Sequence, residues 1–307
     1  MNDVAPLKAD PLWRRLWMRP GVRGMLLMLF RLILFIALVM ALSWLVRKLI
    51  PLPPMTPDKS LATSGSELWL RAFRGLLPTT LAYWLLVRFV ERRKVDELAA
   101  KKFLTHSAGG WLIGTGIMVV AAGVMALAGA YRVDGVNPDA YLLGPLMVLG
   151  ILPGVTEEII ARGIFFRVVE EGVGSWAALV FSALLFGFGH AANPGATVWS
   201  SVAIAIEAGL LLGMAYAWTR SLWFCMGLHA AWNFTQGPLL GIRVSGFNVD
   251  GLLDSHTQGN TWISGGEFGA EASILTVILC TSVGLYFMRR AMAKGNILKP
   301  SWKRPLQ

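Results

Sequence analysis

Two adjacent carboxylates, Glu157 and Glu158, stand shortly before Arg162 in a stretch that is otherwise apolar. An ionised side chain at the centre of a bilayer costs about 3 kcal/mol on insertion scales, so such charges point to a functional site. Glu158 and Arg162 are four residues apart, the spacing at which a carboxylate and a guanidinium meet on one helical face. This pairing leaves Glu157, about 100° around the helix, free to act as a general base. Alternatively, the three charges form a buried cluster that fixes helix packing.

Two later apolar stretches carry imidazole and carboxamide groups. His190 follows Phe186 by four residues, and alone it would be interpreted as a hydrogen-bonded core histidine. His229 and Asn233 are also four residues apart, so their side chains project from one helical face. Two neighbouring donors can stabilise the oxyanion of an acyl-transfer intermediate. The alternative is a hydrogen-bonding pair between helices, which is common in membrane bundles.

Composition indicates a polytopic membrane protein. The 307 residues are 55% hydrophobic and only 15% charged, against about 25% charged in soluble domains. The net charge is +10, and most of the 28 Lys and Arg residues lie in three clusters, 1–24, 88–102 and 289–307. These clusters flank apolar runs, as cations retained on the cytoplasmic side do. No aromatic and basic surface module accompanies them, so we expect no nucleic-acid partner.

The apolar runs predict an all-α, polytopic transmembrane helical bundle of about eight spans. The predicted spans are 25–46, 71–90, 109–131, 140–169, 175–190, 196–218, 222–240 and 272–288. Both termini are then cytoplasmic. We divide the chain into an N-terminal segment with two accessory spans and a basic linker (1–107), a membrane core (108–290, with the motifs within 140–240) and a basic tail (291–307). Residues 47–70 and 241–271 are predicted loops.

Several details of the spans bear on the site. Pro153 and Gly154 predict a kink or opening just before Glu157. Gly114, Gly116 and Gly123 in the third span allow close helix packing. The predicted boundaries put His190 near the outer end of its span and His229 nearer the inner end, so both reach Glu157 only if helices tilt or break.

One acid, Glu207, allows two interpretations, and two histidines are predicted to lie outside the site. Glu207 lies in the sixth span beside Gly209-x-x-x-Gly213. It either shapes the cavity or relays protons, or it contacts a neighbouring helix. His106 and His256 are interpreted as surface residues.

Taken together, three motifs resemble those of the CPBP intramembrane proteases, a family that includes the type II CAAX prenyl endopeptidases and bacterial "abortive infection" membrane proteins. They are Glu-Glu-x-x-x-Arg at 157–162, Phe-x-x-x-His at 186–190 and His-x-x-x-Asn at 229–233. The resemblance covers roughly residues 140–240. It implies an endopeptidase that acts within the membrane.

The resemblance also implies roles for these residues. Glu157 would activate water, His190 would hold and polarise that water, and His229 with Asn233 would stabilise the oxyanion. Glu158 and Arg162 would support Glu157. We expect no cofactor, with zinc as the alternative, because the chain has no His-Glu-x-x-His motif.

The expected partners are the lipid bilayer and a membrane-associated peptide or protein substrate, approached from the cytoplasmic side. The expected location is a bacterial inner membrane. Two other functions remain: a non-catalytic scaffold or immunity protein of the same family, and a proton-coupled transporter. Transporters often show internal repeats, and this sequence shows none.

Overall fold

The structure, a computed structural model, describes residues 20–52 and 65–304. Residues 1–19, which hold most of the first basic cluster, lie outside the described residues, as do 53–64 of the proline-containing loop and 305–307 of the tail. Within the described ranges the chain forms nine helices, besides short 3-10 turns, and one two-stranded sheet. The helices are α1 (Pro20–Leu49), α2 (Gly65–Leu85, extended by a π turn Leu86–Val90), α3 (Phe103–Leu127), α4 (Leu143–Val173), α5 (Ser175–Gly189), α6 (Val198–Thr219), α7 (Leu222–Phe234, extended by a π turn Thr235–Leu239), α8 (Thr261–Ser264) and α9 (Ile274–Ala293).

Five of these helices are long and apolar enough to cross a membrane: α1, α3, α4, α6 and α9. They correspond to the first, third, fourth, sixth and eighth predicted spans, and the all-α polytopic class is confirmed. The other three predicted spans form α2, α5 and α7. At 15 residues α5 is about 22 Å long, less than the roughly 30 Å of a hydrocarbon core. By length and apolarity the structure supports five such helices, and the exact number of spans stays a prediction. The division of the chain at residues 107 and 290 stays a prediction.

Close packing of α3 against α7 depends on one of the three predicted glycines. A Cβ atom at Gly114 would lie 2.3 Å from the backbone oxygen of Leu228, so no side chain fits there. Added Cβ atoms at Gly116 and Gly123 would meet no described atom within 4 Å. The packing role is thus confirmed for Gly114 and is wrong for the other two.

The helical pitch of α4 changes on both sides of Glu157. A short α-helical segment, Leu152–Glu158, lies between two π-helical segments, Leu146–Ile151 and Ile159–Phe166. Pro153 is the second residue of the α-helical segment, where its missing N–H and fixed φ disturb the regular ladder. π segments often occur at functional sites because they re-aim side chains. The helical pitch therefore changes before Glu157, whereas a kink or opening there stays a prediction.

The sheet was not predicted. Strand β1 (Tyr131–Val136) pairs antiparallel with β2 (Leu253–Thr257), with a bulge between Val133 and Gly135. Tyr131 closes the predicted third span, and residues 253–257 fall in the predicted loop 241–271. Both strands are short, and they are more than a hundred residues apart in the chain, so local patterning does not reveal their pairing. His256 lies on β2 with its side chain 47% exposed, next to Asp134, so the predicted surface position is confirmed.

The two-stranded sheet lies at one end of the bundle, and the C-terminal segment after α9 lies at the other. At the sheet end, the Tyr131 hydroxyl donates a hydrogen bond to the backbone oxygen of Leu240, 2.7 Å away, just past α7. At the opposite end, which we call the tail end, the backbone N–H of Leu298 donates to Ser175 Oγ at 2.7 Å. α4 ends and α5 begins at this tail end.

Candidate functional site

The predicted residues converge on one cavity of about 810 Å³. Its walls include Glu157, His190, His229 and Asn233. Glu157 Oε2 lies 4.0 Å from Nε2 of His190 and also 4.0 Å from Nε2 of His229. That oxygen is buried and has no hydrogen-bond partner among the described residues, although the Glu157 side chain is 35% exposed.

The predicted mismatch in depth between the two histidines disappears in the structure. α5 is short, so His190 comes directly after its last residue, Gly189. α7 starts beside α4, where a side-chain atom of Leu222 lies 3.3 Å from the Cβ position of Gly163, six residues after Glu157. His229, seven residues further on, therefore reaches the level of Glu157.

Glu158 connects the arginine and one histidine. Arg162 Nη1 donates to Glu158 Oε1 at 2.7 Å, and both side chains are 0% exposed, so the predicted pair forms. His229 Nδ1 lies 2.9 Å from the same oxygen. Arg162 also donates to the backbone oxygens of Ala208 and Gly209, at 2.7 and 3.1 Å. This buried arginine therefore joins α4 to α6 as well as neutralising Glu158.

The hydrogen-bond partners decide which ring nitrogens carry protons. His190 Nδ1 lies 2.8 Å from the backbone oxygen of Phe186, which can only accept, so Nδ1 donates. His229 Nδ1 likewise donates to the ion-paired carboxylate of Glu158. Both Nε2 atoms thus face Glu157 either as acceptors in neutral rings or as donors in imidazolium ions. His229 can donate to an oxyanion through Nε2 only in the imidazolium form.

Asn233 compensates for the proline in α4. Pro153 has no N–H to donate to the backbone oxygen of Leu149, four residues earlier. Asn233 Nδ2 donates to that oxygen at 2.8 Å. A carboxamide carries two N–H donors, so one remains for a ligand in the cavity. One side chain therefore supports both the α4–α7 contact and the cavity wall.

Phe186 lies at the centre of the charged groups. Its ring centroid is 5.0 Å from that of His190 and 5.9 Å from that of His229. The guanidinium carbon of Arg162 lies 4.7 Å from the same centroid, a cation–π distance. The phenylalanine of the Phe-x-x-x-His motif therefore fixes the orientation of both imidazoles.

Residues 139–235 match the family model of the type II CAAX prenyl endopeptidase Rce1-like proteins. This segment includes every predicted site residue, and the match agrees with the resemblance to the CPBP family. The chain carries an Rce1-like domain. No curated protein and no solved structure matches the chain.

The cavity of the Rce1-like domain is completed by residues outside the matched segment. Val244 to Asn248 line it, as does Glu271, which accepts a hydrogen bond from Ser245 Oγ at 3.1 Å. The sequence placed them in the predicted loop 241–271, to which no role was assigned. Glu207 also lines the cavity, which favours the first of its two interpretations.

The absence of a cofactor from the Rce1-like domain stays a prediction. No group of three or more His, Cys, Asp or Glu among residues 20–52 and 65–304 is arranged to hold a metal ion. The two Nε2–Oε2 separations of 4.0 Å exceed the roughly 3.4 Å between ligands of tetrahedral zinc. No step below involves a metal.

Proposed function

We propose that the chain is an endopeptidase that hydrolyses a peptide bond of a membrane-associated substrate, lipidated or not, through water activated by Glu157. The Rce1-like domain supports membership of a CAAX-protease-like family of intramembrane proteases. The observation that carries the proposal is the position of Glu157 Oε2, buried without a hydrogen-bond partner among the described residues and equidistant from two imidazole nitrogens.

In the proposed first step, Glu157 acts as the general base. A water molecule about 2.8 Å from Oε2 and from one Nε2 atom spans a separation of 4.0 Å without strain. His190, neutral with its proton on Nδ1, accepts one hydrogen of this water. Glu157 takes the other, and the water oxygen bonds to the carbonyl carbon of the peptide.

The proposed second step stabilises and then collapses the tetrahedral intermediate. The free N–H of Asn233 donates to the oxyanion, and His229 adds a second donor at Nε2 in its imidazolium form. When the C–N bond breaks, Glu157 returns its proton to the departing amine. Glu158 and Arg162 touch no reacting atom in this scheme and hold His229 in position.

Charge distribution supports an orientation for the chain. The tail end carries the basic residues of 88–102 and 289–304, so we place it in the cytoplasm together with both termini, in a bacterial inner membrane. The cavity wall includes Pro194 and Asn248, exposed residues in loops at the sheet end. With this orientation the cavity reaches the non-cytoplasmic side, the opposite of the cytoplasmic approach expected from the sequence. Leu185 both lines the cavity and is 43% exposed on the outer face of α5, which suits a substrate held in the bilayer.

The test compares the wild type with Glu157→Gln, as full-length protein in nanodiscs, on quenched-fluorescent peptides that include lipidated C-terminal ones. Glu267→Gln is the matched control, because Glu267 is a glutamate with its side chain 79% exposed at the sheet end. We expect cleavage by the wild type and the control, loss of cleavage in Glu157→Gln, and no effect of a chelator. Sensitivity to the chelator would contradict the metal-free scheme. A folded wild type that cleaves no peptide would contradict the proposal and favour the scaffold alternative.

A further inference from the structure

A second group of acids lies in the cavity beyond Glu157. Glu207, in the π-helical segment Ala205–Leu210 of α6, is 0% exposed. Both of its carboxylate oxygens lack a hydrogen-bond partner among the described residues, and the side chain lines the cavity. An isolated buried carboxylate is too costly to remain charged without a partner. Glu207 therefore either keeps a proton or receives a cation from a ligand.

Glu271, in the loop before α9, lines the same cavity and is near enough to Glu207 for their charges to interact. It is 3% exposed. The backbone N–H and the hydroxyl of Ser245 both donate to its carboxylate oxygens, which orients the group. Burial raises the pKa of Glu271 to about 7, against the hydrogen bonds from Ser245 and Gln236 and the nearby His229. This carboxyl group is thus close to its ionisation midpoint in neutral solution.

No Lys or Arg within residues 20–52 and 65–304 forms a salt bridge with either acid. The two guanidinium groups on neighbouring segments are already engaged. Arg162 binds Glu158 and two backbone oxygens of α6, and Arg243 binds Glu267 and Asn248. The pair therefore presents two carboxyl groups to the cavity with no cation of its own.

We propose that Glu207 and Glu271 form a second subsite of the cavity that binds an organic cation, a protonated amine or a guanidinium. In a peptide ligand this cation is the side chain of Lys or Arg. The carboxylates supply two charge-assisted hydrogen-bond acceptors inside a low-dielectric cavity, where such contacts are strong. Only the assignment of the ligand as a peptide rests on the proposed function.

The first experiment measures binding alone. Purified full-length protein in nanodiscs is titrated with n-butylguanidinium and with n-butylurea, its uncharged near-isostere, and binding is followed by saturation-transfer NMR. We expect the guanidinium to bind and the urea to bind at least about tenfold more weakly, the factor that follows from losing charge-assisted hydrogen bonds. The single variants Glu207→Gln and Glu271→Gln should each weaken guanidinium binding by a similar factor, whereas Glu267→Gln should leave it unchanged.

Equal binding of the two probes, or guanidinium binding that survives in both variants while their melting temperatures match the wild type, would overturn the subsite. If one variant does not fold, the other and the paired probes still give the result. A second experiment uses quenched peptides that differ only in Lys or norleucine at each position in turn, with wild-type protein.

The two experiments separate the subsite from the proposed function. A preference for Lys at one position, lost in Glu207→Gln, supports both. Guanidinium binding without cleavage of any peptide supports the subsite and contradicts the protease. Cleavage without preference for Lys and without guanidinium binding overturns the subsite and leaves the protease standing.

Discussion

Among the described residues, two glutamates at the tail end are paired with arginines, whereas three glutamates that line the cavity are not. At the tail end Glu91 accepts hydrogen bonds from Arg31, Arg93 and Arg167, at 3.3, 2.8 and 2.9 Å. Glu97 accepts from Arg93 at 2.6 Å. In the cavity, Glu157, Glu207 and Glu271 form no salt bridge with a described Lys or Arg, and only the two histidines approach Glu157.

The pKa values of Glu91, Glu97 and Glu271 differ in accordance with their pairing. Burial alone would raise the pKa of Glu91, but the charge and hydrogen bonds of Arg167 and Arg93 outweigh it and lower the pKa. The same balance lowers the pKa of Glu97, through Arg93 and Tyr83. Glu271 has no such cation, so burial raises its pKa. Paired acids join helices, whereas unpaired acids remain available to a ligand, which is why perturbed and unpaired groups mark functional sites.

The largest expected effect is a loss of activity, and it distinguishes the cavity from the tail end. If the protein is the proposed endopeptidase, Glu157→Gln should lower kcat/KM by about 10²- to 10⁴-fold, because it removes the general base. The melting temperature should stay within a few degrees of the wild-type value, since Glu157 holds no helix in place. Glu91→Gln should do the reverse, lowering the melting temperature while turnover per folded molecule persists. An equal drop in melting temperature in both variants would contradict the distinction between the cavity acids and the tail-end acids.

The next prediction concerns Glu158, the one cavity-side acid that has an arginine partner. Arg162→Met should lower the free energy of unfolding by about 3–5 kcal/mol, because it leaves a buried carboxylate without its cation. The double variant Glu158→Leu with Arg162→Met should recover part of that loss, since the buried charge is gone. Denaturant titration in mixed micelles measures both. A double variant less stable than the single one would show that the contact of Glu158 with His229 stabilises the fold by more than the unpaired charge costs.

Opposite pKa shifts predict opposite pH dependence. With its pKa raised from 4.5 to about 7, native Glu271 binds more protons than the unfolded chain, so its contribution to stability falls as pH rises through that window. Compared with Glu271→Gln, the wild type should lose on the order of 3 kcal/mol of unfolding free energy between about pH 4.5 and pH 8. Glu97, with a lowered pKa, contributes stability above its unfolded pKa and loses it as pH falls. The free energy of unfolding of the wild type, Glu271→Gln and Glu97→Gln, measured at several pH values, tests both signs. The same pH dependence in all three proteins would contradict the prediction.

The smallest effect belongs to an ion pair outside both regions. Arg243 and Glu267 form a salt bridge at the sheet end with side chains 36% and 79% exposed. Such pairs contribute little, because solvent screens them and holding two long side chains costs entropy. Glu267→Gln should therefore change the free energy of unfolding by no more than about 0.5 kcal/mol, measured as above. A larger loss would mean that this pair holds the loop that carries Glu271.

Local spacing predicted the parts of the site that lie on one helix. The Glu158–Arg162 pair and the change of pitch near Pro153 follow from helical periodicity and from proline geometry, which need no knowledge of distant residues. Local spacing could not tell Gly114, which packs against Leu228, from Gly116 and Gly123. The three motifs also indicated a resemblance to the CPBP proteases, and the Rce1-like domain agrees with it. Apolarity also predicted α5 as a span at 175–190, but it does not decide whether a helix of only 15 residues crosses the membrane.

Only the tertiary structure decided which polar groups share the cavity. Glu157 meets His190 and His229 because α5 and α7 both pack against α4, and Asn233 donates to the Leu149 carbonyl, to which Pro153 has no N–H to donate. Glu271 and Ser245 join them from a loop that sequence patterning could not place. The sequence determined which residues are charged and which face of each helix they occupy. Whether a buried carboxylate meets an arginine or stays unpaired depends on packing between elements far apart in the chain, and that packing separates the structural acids from those proposed to function.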